Sequence, residues 1–248
     1  MTGRDLAWGR RTGGRLTRRE ELTYLLAAAR ASVALRRRST EVGADRPVPD
    51  LAERPPDSAF ARAALEASRE ADTTPGGAVL AHCLRTWLWA DVLGRVNGLR
   101  PDPELLFAAC VLHDLGLTPA HRGRRGGCFA VEGALAALDL ATAHGYPRAD
   151  ALADAVVLHL EVTVPVSSGV EAHLLNAGAA ADLLRSRTRE VGRDVRRRIE
   201  ERHPADGLGP GLVEPLREQA ALRPRSRIGV LERRLGFTGR VLEARSAR

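Results

Sequence analysis

DPELLFAACVLHDLGLT, residues 102–118, opens like a helix and closes like a site. Asp102-Pro103-Glu104 combines an N-cap, a proline at the first helical position and an acidic first turn. The eight residues Leu105 to Leu112 that follow are all apolar. A helix apolar on every side has to lie at the centre of its domain. His113 and Asp114 come directly after it, at the end of a segment that runs through the core. Burying an ionised carboxylate beside an imidazole costs several kcal/mol unless its charge is compensated. A metal ion compensates it efficiently, and this donor pair suits Zn, Fe and Mn alike.

Such a site needs a further donor from another element. The upstream stretch AVLAHCLRTWLWADVLGRV, residues 78–96, keeps apolar residues on a broad helical face and stops at Asn97-Gly98. It places His82 mid-helix among apolar neighbours, where the segment can pack antiparallel to the 102–112 helix. A lone histidine there reads as core; beside the His113-Asp114 pair it reads as a third ligand. Arg85, one turn on, shares that side and suits an anionic or polar substrate group, or else snorkels to the surface. Trp87 and Trp89 read as core or pocket wall.

Working outward, the spacing predicts helices over about 129–144, 148–161, 170–184 and 189–202, and a helical tail beyond Pro210. Upstream, Asp57 or Ser58 caps a helix to about Glu70. Residues 1–56 form an extension with a helix from about Arg18 to Arg38 and a Pro-containing linker ending in Arg54-Pro55-Pro56. The compact domain covers 57–190, and a helical region at 191–248 packs on it or trails from it. Ala and Leu dominate and β-branched residues are sparse, so the fold class is all-α.

The formal net charge is +7, yet all 38 basic residues are Arg and many sit in runs such as Arg36-Arg37-Arg38 and Arg196-Arg197-Arg198. That bias reflects base composition of the coding sequence more simply than phosphate contacts, so nucleic acid is not the expected partner. Cys83, Cys110 and Cys128 form no paired or CxxC framework, which suits a reducing cytoplasm. No run is long enough for a membrane span or a signal peptide, so the expectation is a soluble, unexported protein with a small-molecule substrate. The extra N-terminal helix leaves a homo-oligomer open.

HCLRTWLW (82–89), DPELLFAACVLHDLGLT (102–118) and ALADAVVLHLE (151–161) together resemble the HD-domain superfamily of metal-dependent phosphohydrolases. Within it, the first helix, the HDLGLT turn and NAGAAADLL (176–184) are most similar to the cyanamide-hydratase-like branch. The resemblance covers about residues 57–190 and implies a single HD-type helical domain holding a divalent transition metal (Zn, Fe or Mn). His82, His113 and Asp114 fall on the family's first three ligand positions; the fourth, usually Asp, is Ala179. Asp182, one turn on, is implied as a ligand or as a partner behind one, with a surface or capping role as the alternative.

His159 is implied as a substrate contact or second-metal ligand, with ordinary core packing as the alternative. Glu132 is implied as a proton shuttle, or else as a first-turn acid complementing the helix dipole, and Ala130 replaces another acid of that branch. His121, His144, His173 and His203 read as surface histidines. The implied activity is that of a metal-dependent hydrolase or hydro-lyase: metal-bound hydroxide adds to a cyanamide- or nitrile-like carbon. One alternative is a nucleotide or phosphate-monoester phosphohydrolase drawing on Arg122, Arg124 and Arg125. The other, prompted by Ala179 and Ala130, is a non-catalytic binding module.

Overall fold

A computed structural model describes residues 4–38, 51 and 54–246, with side chains omitted at 33–38. Most of the expected linker, from 39 to Pro56, and the side chains of Arg36-Arg37-Arg38 therefore lie outside the described residues. The described chain is all-α, with no strand.

Twelve α-helices follow one another among the described residues: α1 (Leu6–Thr12), α2 (Arg18–Arg38), α3 (Ala59–Ala71), α4 (Ala78–Val96), α5 (Pro103–Leu112), α6 (Phe129–Ala143), α7 (Ala149–Leu158), α8 (Val170–Leu184), α9 (Arg193–Arg202), α10 (Glu214–Leu222), α11 (Arg227–Leu235) and α12 (Phe237–Ser246). Local chemistry sets their starts. The Asp102 carboxylate accepts from the backbone N–H groups of Glu104 and Leu105, and Ser58 Oγ accepts from Ala61. Thr17 and Glu20 close a reciprocal capping box at the head of α2.

Helix α5 is central, as its composition demands: every residue from Leu105 to Leu112 is buried. It packs between α3, α4, α7 and α8. The most extensive helix pairing among the described residues is α4 on α8, made possible by Gly178, where an added Cβ would stand 2.4 Å from the Thr86 carbonyl oxygen. That contact fixes the register of His82 against Asp182. Two expectations shift. Helix α7 stops at Leu158, so His159 sits at its C-cap rather than within the helix. The N-terminal extension holds a second helix besides the expected one, α1, capped by Asp5 and stopped by Gly13 in the left-handed region at φ 60°.

The two ends of the described chain meet. Trp8, Leu16 and Tyr24 pack with Val230 of α11 in a small second core, and the Leu16 N–H donates to the Arg225 carbonyl. Helices α2, α11 and α12 thereby stand over the C-terminal ends of α5 and α7, where the site lies. No helix among the described residues is long and apolar enough to cross a membrane, and all three cysteines are buried and free.

Candidate metal centre

His113 and Asp114 leave α5 in a tight turn that is clamped from behind. Gly116 lies so close to α6 that a Cβ there would meet the Phe129 carbonyl oxygen at 2.0 Å, and a Cβ on Gly133 of α6 would meet the His113 carbonyl oxygen at 2.9 Å. The turn is therefore held against the head of α6, and the histidines that approach it come from α4 and the end of α7.

His82 comes from α4. Its Nε2 lies 3.3 Å from His113 Nε2 and 3.6 Å from Asp114 Oδ2, while His113 Nε2 lies 3.4 Å from that same oxygen. All three side chains are almost fully buried. Their ligand atoms form a cluster of metal-holding size, the one such group among the described residues.

The hydrogen bonds behind the rings assign the tautomers. His82 Nδ1–H donates to Asp182 Oδ2 at 2.7 Å, and His113 Nδ1–H donates to the Cys110 carbonyl at 2.7 Å. With both rings in the neutral, ligating form, their Nε2 lone pairs face each other at 3.3 Å beside a carboxylate. Two lone pairs and an anion so close in a buried site repel unless a cation sits among them. Donors of one tetrahedral ion are about 3.3 Å apart when each lies at ~2.0–2.1 Å. The residues therefore fit a divalent metal. Burial also keeps the His113 pKa below its ordinary value, partly opposed by Asp114, which favours the neutral, ligating imidazole.

Asp182 stands behind His82, not among the converging ligand atoms. Its Oδ1 accepts from Arg85 Nε at 2.8 Å and from Arg245 of α12 at 2.6 Å, while Oδ2 accepts from His82 and from Arg85 Nη2. Its oxygens are engaged on that side. Burial alone would raise the Asp182 carboxyl pKa, but Arg85, the bond from His82 and Arg245 hold it well below the usual carboxylate range. Arg85 belongs to the same network. It neither snorkels nor faces a substrate but is fully buried, pairing with Asp182 and donating to the His203 and Pro204 carbonyls.

His159 approaches from the other side, with Nε2 3.6 Å from Asp114 Oδ1 and Nδ1–H bonded to the Val156 carbonyl. Burial, reinforced by His113, lowers its pKa to about 3, so it presents a neutral acceptor. Glu132 does not reach the centre. Its carboxylate accepts from the backbone N–H groups of Arg125 and Gly127, stapling the Arg/Gly loop to the first turn of α6. The arginines of that loop point away as well: Arg122 pairs with Glu218, Arg125 pairs with Asp139, and Arg124 lines a separate recess beside Glu132. Of the remaining histidines, His144 is exposed, and His121, His173 and His203 are half-buried.

The centre opens into a cavity of about 370 Å³. His82, His113, Asp114 and His159 lie at one end, and Ala179 stands in its wall. Sequence reasoning missed Glu161, a buried wall residue gripped by Arg4 at 2.8 Å and by Arg227 at 2.9 Å. It also missed Tyr24 and Arg245. An acid directly after an apolar helix was a readable signal for Glu161; the two others carried none, because their partners lie far off in the chain.

A family model described as HD domain matches residues 79–202, half of the chain. No curated protein matches it.

Proposed function

This chain belongs to the HD domain family, and from that premise we propose that it uses a divalent metal at His82, His113 and Asp114 to add water to a small organic molecule, by hydration or hydrolysis. The observation that carries the reading is the convergence of two Nε2 lone pairs and one carboxylate, with both Nδ1–H groups tied off behind. When bound, the metal supplies a Lewis acid and a water of lowered pKa.

The rest falls to the chain. Asp182 keeps the His82 ring turned inward. Ala179 puts a methyl where a fourth carboxylate would stand, leaving a face of the centre open to the cavity, as catalytic sites require. His159, neutral and fixed by Val156, offers Nε2 as an acceptor to the attacking water or to a substrate N–H or O–H. The walls of the cavity around it are mainly apolar.

Between reaction types we favour addition to a nitrile-type carbon over phosphoryl chemistry. A phosphate calls for several cationic or N–H donors, and Arg122 and Arg125, its best sequence candidates, are paired on another face. Metal-reconstituted protein is to be incubated with a panel of nitriles and nucleoside monophosphates. Amide formation is the expected result, whereas phosphate release with no nitrile turnover overturns it.

A further inference from the structure

The cavity over the centre is far larger than a cyanamide-sized substrate requires, and most of its polar side chains are already partnered. The Tyr24 hydroxyl donates to the Leu160 carbonyl at 2.6 Å. Asn176 Nδ2 donates to the His159 and Glu161 carbonyls. Ser32 Oγ donates to the Ala28 carbonyl, and Glu161 is neutralised by Arg4 and Arg227. Outside the metal cluster and His159, the lining side chains with uncommitted donors are Ser186 and the exposed Arg240. The remaining wall is aliphatic and aromatic: Phe129, Leu183, Leu184, Leu231, Leu235 and Phe237.

A polar ligand placed here would surrender more hydration than these few free groups could replace, a loss of kcal/mol order per unpaired group. An apolar body gains from the same transfer. At about 370 Å³ the cavity falls in the usual range for organic ligands, ~300–1,000 Å³. The wall is also composite: α2 from the N-terminal part and α11 and α12 from the C-terminal part close it over α6, α7 and α8. These added helices supply much of the apolar wall over the centre.

We propose that the substrate is a predominantly apolar organic molecule, a long-chain or aryl nitrile class rather than cyanamide or a nucleotide, with its one reactive polar end at the centre and its body against α2, α11 and α12. The assignment rests on the water-adding reading for the reactive end, but not for the apolar body.

The full chain, with and without metal, is titrated with the dye N-phenyl-1-naphthylamine, which is then displaced by acetonitrile, hexanenitrile, nonanenitrile and AMP. Dye binding is expected, with competitor affinity rising roughly fourfold per methylene along the nitrile series. Ala31→Trp, which narrows the cavity from α2, should weaken nonanenitrile at least tenfold and leave acetonitrile unchanged. Absence of dye binding, affinity independent of chain length, or displacement by AMP at or below the nonanenitrile concentration overturns the proposal. Because binding is read without turnover, a chain-length series with no amide formed would break only the proposed reaction. Turnover of acetonitrile with no preference for length would break only this inference.

Discussion

Two buried carboxylates flank the centre, and each grips two arginines from distant parts of the chain. Asp182 on α8 holds Arg85 from α4 and Arg245 from α12. Glu161, just beyond α7, holds Arg4 from ahead of α1 and Arg227 from the first turn of α11. The chemistry is alike, but the connections are not. Asp182 also accepts the Nδ1–H of a metal-centre histidine, so its charge is felt by the ligand set. Glu161 meets arginines alone and ties both ends of the described chain to the cavity wall. One device thus serves two purposes, tuning the centre in one place and closing the cavity in the other.

Breaking either network leaves buried guanidinium charge uncompensated, but only one break should reach the metal. Asp182→Asn is expected to have the largest effect, losing about 3–5 kcal/mol in urea unfolding and weakening metal binding ~10–100-fold in chelator competition. Glu161→Gln is expected to lose stability of similar or smaller size while folded protein keeps its metal affinity within about twofold. If Glu161→Gln strips the metal as thoroughly as Asp182→Asn, the distinction fails.

A smaller effect sharpens the Asp182 side. His203, whose carbonyl accepts from Arg85, has its pKa lowered to about 4 by burial, then by Arg202 and Arg85. Between its ordinary value of about 6.5 and that lowered one, the unfolded chain binds a proton that the native chain refuses. The stability this group contributes is therefore full above about pH 6.5 and is lost as the pH falls towards 4. His203→Gln should flatten the urea midpoint against pH across that window, and an unchanged slope would place the titration elsewhere.

Much of this was legible in the residues. Eight apolar positions in a row dictated a central α5, and Asp102 and Ser58 announced helix starts by the same capping bonds that the structure contains. The pair after that helix pointed to a metal and was joined by His82. What could not be read is which partner each buried charge meets. Periodicity places Arg85 on the His82 side of α4, but its carboxylate lies 97 residues away on α8, and nothing local forecasts that meeting. Glu132 misled for the opposite reason. A first-turn acid looks the same whether it serves a reaction or staples a loop, and the deciding bonds come from the backbone of Arg125 and Gly127. The cavity walls were hidden too, since they depend on how α2, α11 and α12 fold back over the domain.

The central claim, a cation gripped by His82, His113 and Asp114, is tested most directly by elemental analysis of purified protein beside its His113→Ala variant. The account predicts about one equivalent of Zn, Fe or Mn in the wild type, as isolated or after reconstitution, and less than about 0.1 equivalent in the variant with its helical circular dichroism intact. A wild type that stays below about 0.1 equivalent after soaking in each of those metals would contradict it.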